Sequence, residues 1–229
     1  MGYCSRSQAG ALIRAGRVTL NGRLVRNPEA PVRMGRDYIA VDGSAVEERQ
    51  KIYLMMNKPR GPVTTSSDEK GRATVYDLLE SGKYREWVSP VGRLDKASEG
   101  LLLLTNDSKW GAKITDPASH LDKQYHVQVD RLAGDDLLAR IIGGVRVGGE
   151  RLSVKAARVL RVGNKNSWLE ITLDEGKNRQ IRRLLEALGV QVLRLLRVSV
   201  GRLELGDLKK GAVRPLTKAE KRLIDLDSD

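Results

Sequence analysis

Apolar and polar residues alternate without a break over Lys123-Gln-Tyr-His-Val-Gln-Val129, which predicts a strand with Tyr125, Val127 and Val129 on its inward face. Four consecutive leucines at 101–104 form a different pattern. The run is too short for a membrane span and reads as a buried strand, entered through a loop of Gly and polar residues. Ile52-Tyr-Leu-Met-Met56 reads as another buried strand, ended by the turn Asn57-Lys58-Pro59-Arg60-Gly61. Helical spacing appears near the start, where Ser5 caps a helix through Ala15 with Ala9, Leu12 and Ile13 as its stripe and Gly16 as its stop. Residues 17–20, Asn21-Gly22 and 23–25 then read as strand, type I′ turn and strand. Further helices are predicted at 75–79, 135–142 and 178–188; in the last, Ile181, Leu184, Leu185 and Leu188 recur at i, i+3, i+4 and i+7. Strands are predicted at 151–161, 168–173, 190–200 and 202–205. The fold class is therefore α+β with a mixed or antiparallel sheet.

Charge narrows the choice of partner. Lys and Arg number 41 against 29 acids, a net +12, which favours a polyanion. A membrane surface fits poorly, because neither a Lys-rich amphipathic helix nor about twenty consecutive apolar residues occurs. With two His and one Cys, structural zinc and Cys-His catalysis have almost no ligands to work with. No Gly-rich loop of the P-loop or dinucleotide type follows a strand, so no nucleotide cofactor or metal is expected. Phe is absent, which leaves base stacking to a few Tyr and Trp. The single Cys4 excludes an internal disulfide, and the polar start shows no signal-peptide pattern; a cytoplasmic monomer is expected.

The most informative stretch is Gly92-Arg-Leu-Asp95-Lys-Ala-Ser-Glu-Gly100 running through the leucines into Thr105-Asn-Asp107. A carboxylate beside an arginine at the edge of a core is placed for chemistry, although an arbitrary Asp in such a loop caps a turn. This long ordered pattern resembles the signature of the pseudouridine synthases that modify ribosomal RNA, in the branch of the small-subunit enzyme. The resemblance implies a mostly antiparallel central sheet crossed by a cleft, and isomerisation of uridine without cofactor. It implies Asp95 as the catalytic carboxylate. Lys123-Gln-Tyr125-His-Val127 is similar to the family's K-x-Y-x-V motif, whose Tyr stacks on the displaced uracil near its C5 proton. Glu175-Gly-Lys177-Asn178-Arg179-Gln180-Ile181-Arg182-Arg183 is similar to the motif whose arginine pairs with the aspartate, here Arg182. Arg93 is implied to help displace the nucleotide, and Lys58, in the N-K-P-x-G motif, to belong to a structural or RNA-facing turn. These motifs cover roughly residues 52–216.

Residues 1–43 carry seven Arg against three acids, and 176–202 carry seven basic residues against Glu186 alone. Such density predicts phosphate contacts, for which Arg14, Arg17, Lys177, Arg179 and Arg183 are candidates. The segment Gly2–Arg6 with Leu12–Gly22 resembles the S4 RNA-binding module, lacking the helix that normally opens it, so a reduced module is expected. The chain thus divides into an S4-like unit at 1–46, a charged linker and a catalytic unit at 51–229, with ribosomal RNA or a pre-ribosomal particle as partner. The competing reading is a non-catalytic S4-type ribosome-associated factor. A glycoside hydrolase needs a second carboxylate partner, and none stands out.

Overall fold

The computed structural model describes residues 2–47, 49–65, 68, 70–80, 84 and 86–225; Glu48 of the linker and the last four residues lie outside them. In chain order the elements are α1 (Arg6–Arg14), β1 (Val18–Leu20), β2 (Arg23–Val25), β3 (Ile39–Val41), β4 (Ser44–Ala45), β5 (Tyr53–Lys58), α2 (Val75–Glu80), β6 (Ser89–Val91) and β7 (Glu99–Thr105). There follow α3 (Ser108–Thr115), a 3-10 turn (Pro117–Ser119), β8 (Lys123–Val129), α4 (Asp135–Gly143), β9 (Val145–Val147), β10 (Glu150–Leu152), β11 (Ala156–Val162) and β12 (Ser167–Leu173). The chain closes with α5 (Gln180–Ala187), β13 (Val192–Val200), β14 (Leu203–Glu204), β15 (Val213–Pro215) and α6 (Lys218–Arg222).

The N-terminal module is built as the pattern predicts. Ser5 and Gln8 form a capping box on α1, and Asn21 and Gly22 both take positive φ, as a type I′ turn requires. Its four strands form their own sheet in the order β2-β1-β3-β4. The strands that follow form a second sheet of order β11-β12-β8-β13-β7-β5-β15, with β14 on β13 and β6 on β7. Among the described strands every pairing in this sheet is antiparallel except β7 with β13.

That parallel seam explains Gly100. A Cβ there would lie 2.2 Å from the Arg197 carbonyl oxygen, and the residue holds φ at +101°. Only glycine allows so close an approach of two backbones. The four leucines are buried because both faces of β7 are covered. Leu101 and Leu103 pack with Met55, Trp110 and Val200, whereas Leu102 and Leu104 pack with Leu54, Met56, Val75 and Leu94. A third cluster lies under α4 and α5, joining Ile141, Ile181, Leu184 and Leu185 to Val127, Leu169 and Ile171 of the sheet.

Three expectations shift. The strand predicted over 151–161 is two strands, because β10 turns back onto β9 as a hairpin before β11 pairs with β12. The helix predicted from Asn178 begins at Gln180, since Arg179 takes a left-handed conformation at the N-cap. Helix α3 was not anticipated; Asp107, the last residue of the Asp95 signature, is its N-cap and accepts from the Trp110 N–H. Among the described residues no helix is long and apolar enough to cross a membrane.

Candidate active site

Asp95 lies on the loop between β6 and β7, and that loop is fixed from within. Leu94 is 6 % exposed, anchored in the apolar cluster, and Thr64 both donates to its carbonyl (2.7 Å) and accepts from its N–H (3.3 Å). The Ser98 N–H closes a turn onto the Asp95 carbonyl at 2.9 Å, and the Gly61 N–H donates to the Lys96 carbonyl at the same distance. Lys58 completes the frame. Its ammonium donates to the carbonyls of Pro59 (3.0 Å), Asp95 (3.2 Å) and Ser98 (3.0 Å). Every one of these bonds uses backbone, so the Asp95 carboxylate is left without a hydrogen-bond or ion-pair partner among the described residues. The rest of the signature is structural: Thr105 and Asn106 bond the backbone of Ile52 and Gln50, bracing β5.

Tyr125 is half-buried on the inward face of β8 and packs against both the helix-side cluster and the cluster that holds Leu94. It therefore bridges the two halves of the sheet beside the Asp95 loop. Across the loop stands α5. Arg182 donates to the Ala97 carbonyl at 2.9 Å, and its Nε is buried without a partner among the described residues. The expected Arg182–Asp95 ion pair does not form among the described residues, because the backbone carbonyl two residues further on takes the guanidinium instead. The two charges still interact. Burial, then Arg179 and Arg60, hold Arg182 below the ordinary arginine value, and Asp95 acts in the opposite direction. Arg182 thus holds the Asp95 turn with Arg179 and Arg60 in electrostatic reach of it, and Arg179 and Arg182 line a cavity of about 350 Å³.

A profile described as RNA pseudouridylate synthase matches residues 52–187, the span that holds Lys58, Asp95, Tyr125 and Arg182. The chain belongs to the RNA pseudouridylate synthase family. An S4 domain profile matches residues 1–37. The synthase is 37% identical over 225 residues to the ribosomal large subunit pseudouridine synthase B of Bacillus subtilis (strain 168), covering 97% of this chain and 91% of that one. It is 39% identical over 219 residues to an uncharacterised RNA pseudouridine synthase of Rickettsia bellii, covering 95% and 93%. A solved structure of a pseudouridylate synthase is similar over 96% of this chain and 94% of its own, with 30% identity and a TM-score of 0.67. The protein is accordingly an RNA pseudouridine synthase, an isomerase with an N-terminal S4 module, and the mixed, mostly antiparallel α+β fold read from its sequence is the fold of its structural neighbour.

The cations expected to face RNA separate into three groups. Of the two parts expected for Lys58, the RNA-facing one is corrected: it is fully buried, and its donors are spent on backbone carbonyls, so it frames the synthase's loop as a structural residue. Arg17, Lys177 and Arg183 are already engaged, by Asp42, Glu175 and Glu150 respectively. Arg14, Arg93 and Arg179 are exposed and have no acid partner among the described residues. Arg60, which shares the Lys58 turn, belongs with this last group. Sequence reading passed over it and over Thr64. The basic residue inside N-K-P-R-G was the available signal for Arg60; nothing local marks Thr64.

Lys58 also carries a pH prediction. Burial pushes its ammonium down to about 8, against Asp95 and Glu99, which act to raise it. Because the folded-state value lies below the ordinary lysine value of ~10.4, the buried charge costs stability at neutral pH, and that cost is relieved as pH rises through this window. Turnover should move the other way. The neutral amine has one N–H fewer, one of the three carbonyls is released, and activity falls through an apparent pKa near 8. In a folded Lys58→Met variant this alkaline limb should be absent from the pH–rate profile; its persistence would assign the limb to another group.

Proposed function

We propose that this synthase isomerises uridine in ribosomal RNA, with Asp95 as the reacting carboxylate, Tyr125 as stacking platform and Arg182 as the cation that orients the aspartate's turn. The reaction breaks the N1–C1′ bond, turns the uracil and forms a C5–C1′ bond, with the C5 proton lost and N1 protonated. It requires an unstacked base, a carboxylate and a group to take the C5 proton. The observation that carries this reading is the Asp95 turn itself, which is held through its backbone while the carboxylate is left free. Tyr125 supplies a ring face, typically worth ~1–3 kcal/mol of stacking, and a hydroxyl on the same strand. A ribosomal substrate is supported by the name of the Bacillus relative and by the net +12 charge. The division into units at 1–46 and 51–229 is supported by the separate sheets and by the two profile matches. We place the protein in the cytoplasm, acting as a monomer.

The substrate is tested by sequencing chemically derivatised pseudouridines in RNA from cells lacking the gene. At least one ribosomal position should revert to uridine and be restored by the wild-type gene. A full ribosomal complement in the deletion strain would move the substrate to another RNA.

Phosphate contact is tested separately, by RNA affinity across a salt series. Arg14→Ala should weaken binding alike for unrelated RNA sequences and reduce the slope of log affinity on log salt by about 0.9. Arg183→Ala should leave the slope nearly intact, because Glu150 holds that guanidinium at 2.9 Å. Equal slope changes would show that the Glu150 pair opens on RNA and that the structure does not sort these residues.

A further inference from the structure

Three arginines gather at the Asp95 turn: Arg182 bonds it, and Arg179 and Arg60 both lie in electrostatic reach of Arg182. Arg60 precedes Gly61, whose N–H bonds the Lys96 carbonyl, so it rides on the turn's outer side. Arg182 reaches the turn at Ala97, and Arg179, one helical turn earlier, lines the same cavity as Arg182. None of the three has an ion-pair partner among the described residues. The two acids lining that cavity do not neutralise them. Asp130 accepts from the Gln191 N–H and lies 3.6 Å from Arg131, and Glu186 makes no ion pair with Arg182 despite its i+4 position. Two further features need explaining. Arg182 buries an Nε with nothing to donate to, and Arg179 sits at φ +49°, a left-handed conformation that an arginine adopts only at a cost. Like charges gathered at one guanidinium beside the Asp95 turn, with a buried donor unused, are an arrangement completed by an anion.

We propose that Arg60 and Arg179 bracket one phosphodiester directly flanking the target uridine, with Arg182 closing the subsite beside Asp95. The bound phosphate neutralises the three arginines, sets the sugar of the displaced nucleotide towards the Asp95 turn, and supplies an acceptor to the cavity wall. This role is local. It separates Arg60 and Arg179 from Arg14, which contributes to affinity wherever the backbone runs. The inference rests on turnover at Asp95, and deepens that reading by naming the group on the substrate that registers it.

The test uses the full chain and a short RNA stem-loop containing the uridine mapped as above, tritiated at C5, with single neutral methylphosphonate linkages placed 5′ to it, 3′ to it, or remote from it. Arg179→Asn is the chosen variant, because asparagine tolerates the left-handed conformation and folding is preserved. On the all-phosphate RNA, Arg179→Asn and Arg60→Ala should each reduce kcat/KM by about tenfold to a hundredfold, as loss of a charged hydrogen bond does. A methylphosphonate at one flanking position should impose the same loss on the wild type and no further loss on either variant, and the remote linkage should leave both penalties intact. If each variant loses the same factor on all three modified RNAs, or loses nothing on the all-phosphate RNA, the proposal is overturned. Wild-type protein that releases no tritium from the all-phosphate RNA points to failure of the Asp95 reading. The same coupling, or its absence, is then read in affinity by fluorescence anisotropy.

Discussion

Asp95→Asn is expected to end tritium release from C5-labelled RNA, a loss at least as large as the roughly 10²–10⁴ that follows removal of an acid–base group. The reason is geometric. Thr64, Lys58, Ser98 and Gly61 hold this turn through the backbone of residues 94, 95, 96 and 98, and none of these bonds uses the carboxylate. The isosteric amide therefore leaves the fold and RNA affinity in place, which circular dichroism and a binding titration would verify. Turnover near the wild-type rate would sink the assignment of Asp95. Impaired folding would instead give the carboxylate a structural part that its surroundings do not indicate.

Tyr125→Phe carries the second large effect. The ring packs against two apolar clusters, and phenylalanine keeps that packing and the stacking face while removing only the hydroxyl. If that hydroxyl assists removal of the C5 proton, turnover should fall by roughly 10²–10⁴ with KM little changed. Unchanged turnover in a folded variant would reduce Tyr125 to a stacking and core residue. A lowered melting temperature together with lost activity would show that its contribution is packing.

Much of this protein was legible because its information is local. The Ser5–Gln8 capping box, the Asn21-Gly22 turn, the alternation of β8 and the apolar stripe of α5 depend on residues within a few positions of one another, and periodicity reports such relations directly. The Asp95 signature was legible for a second reason. It encodes a turn and the strand behind it in one continuous stretch, and its last residue even caps the next helix.

What the chain read alone does not decide is where each charge ends. Lys58 and Arg60 stand two residues apart in one basic turn. The sheet buries the first beneath the Asp95 loop and leaves the second at the surface. Arg17 finds Asp42 25 positions on, Arg183 finds Glu150 33 positions back, and Arg182 reaches a carbonyl 85 positions away. Gly100 is obligatory only because β7 meets β13 in parallel, nearly a hundred residues later in the chain. Sequence by itself determined most of the elements, their inward faces and the family to which the chain belongs. Tertiary structure alone decided which cations are neutralised and which stand without an acid partner among the described residues, because a long flexible side chain takes whichever partner folding brings within hydrogen-bond reach, and no periodicity records that partner.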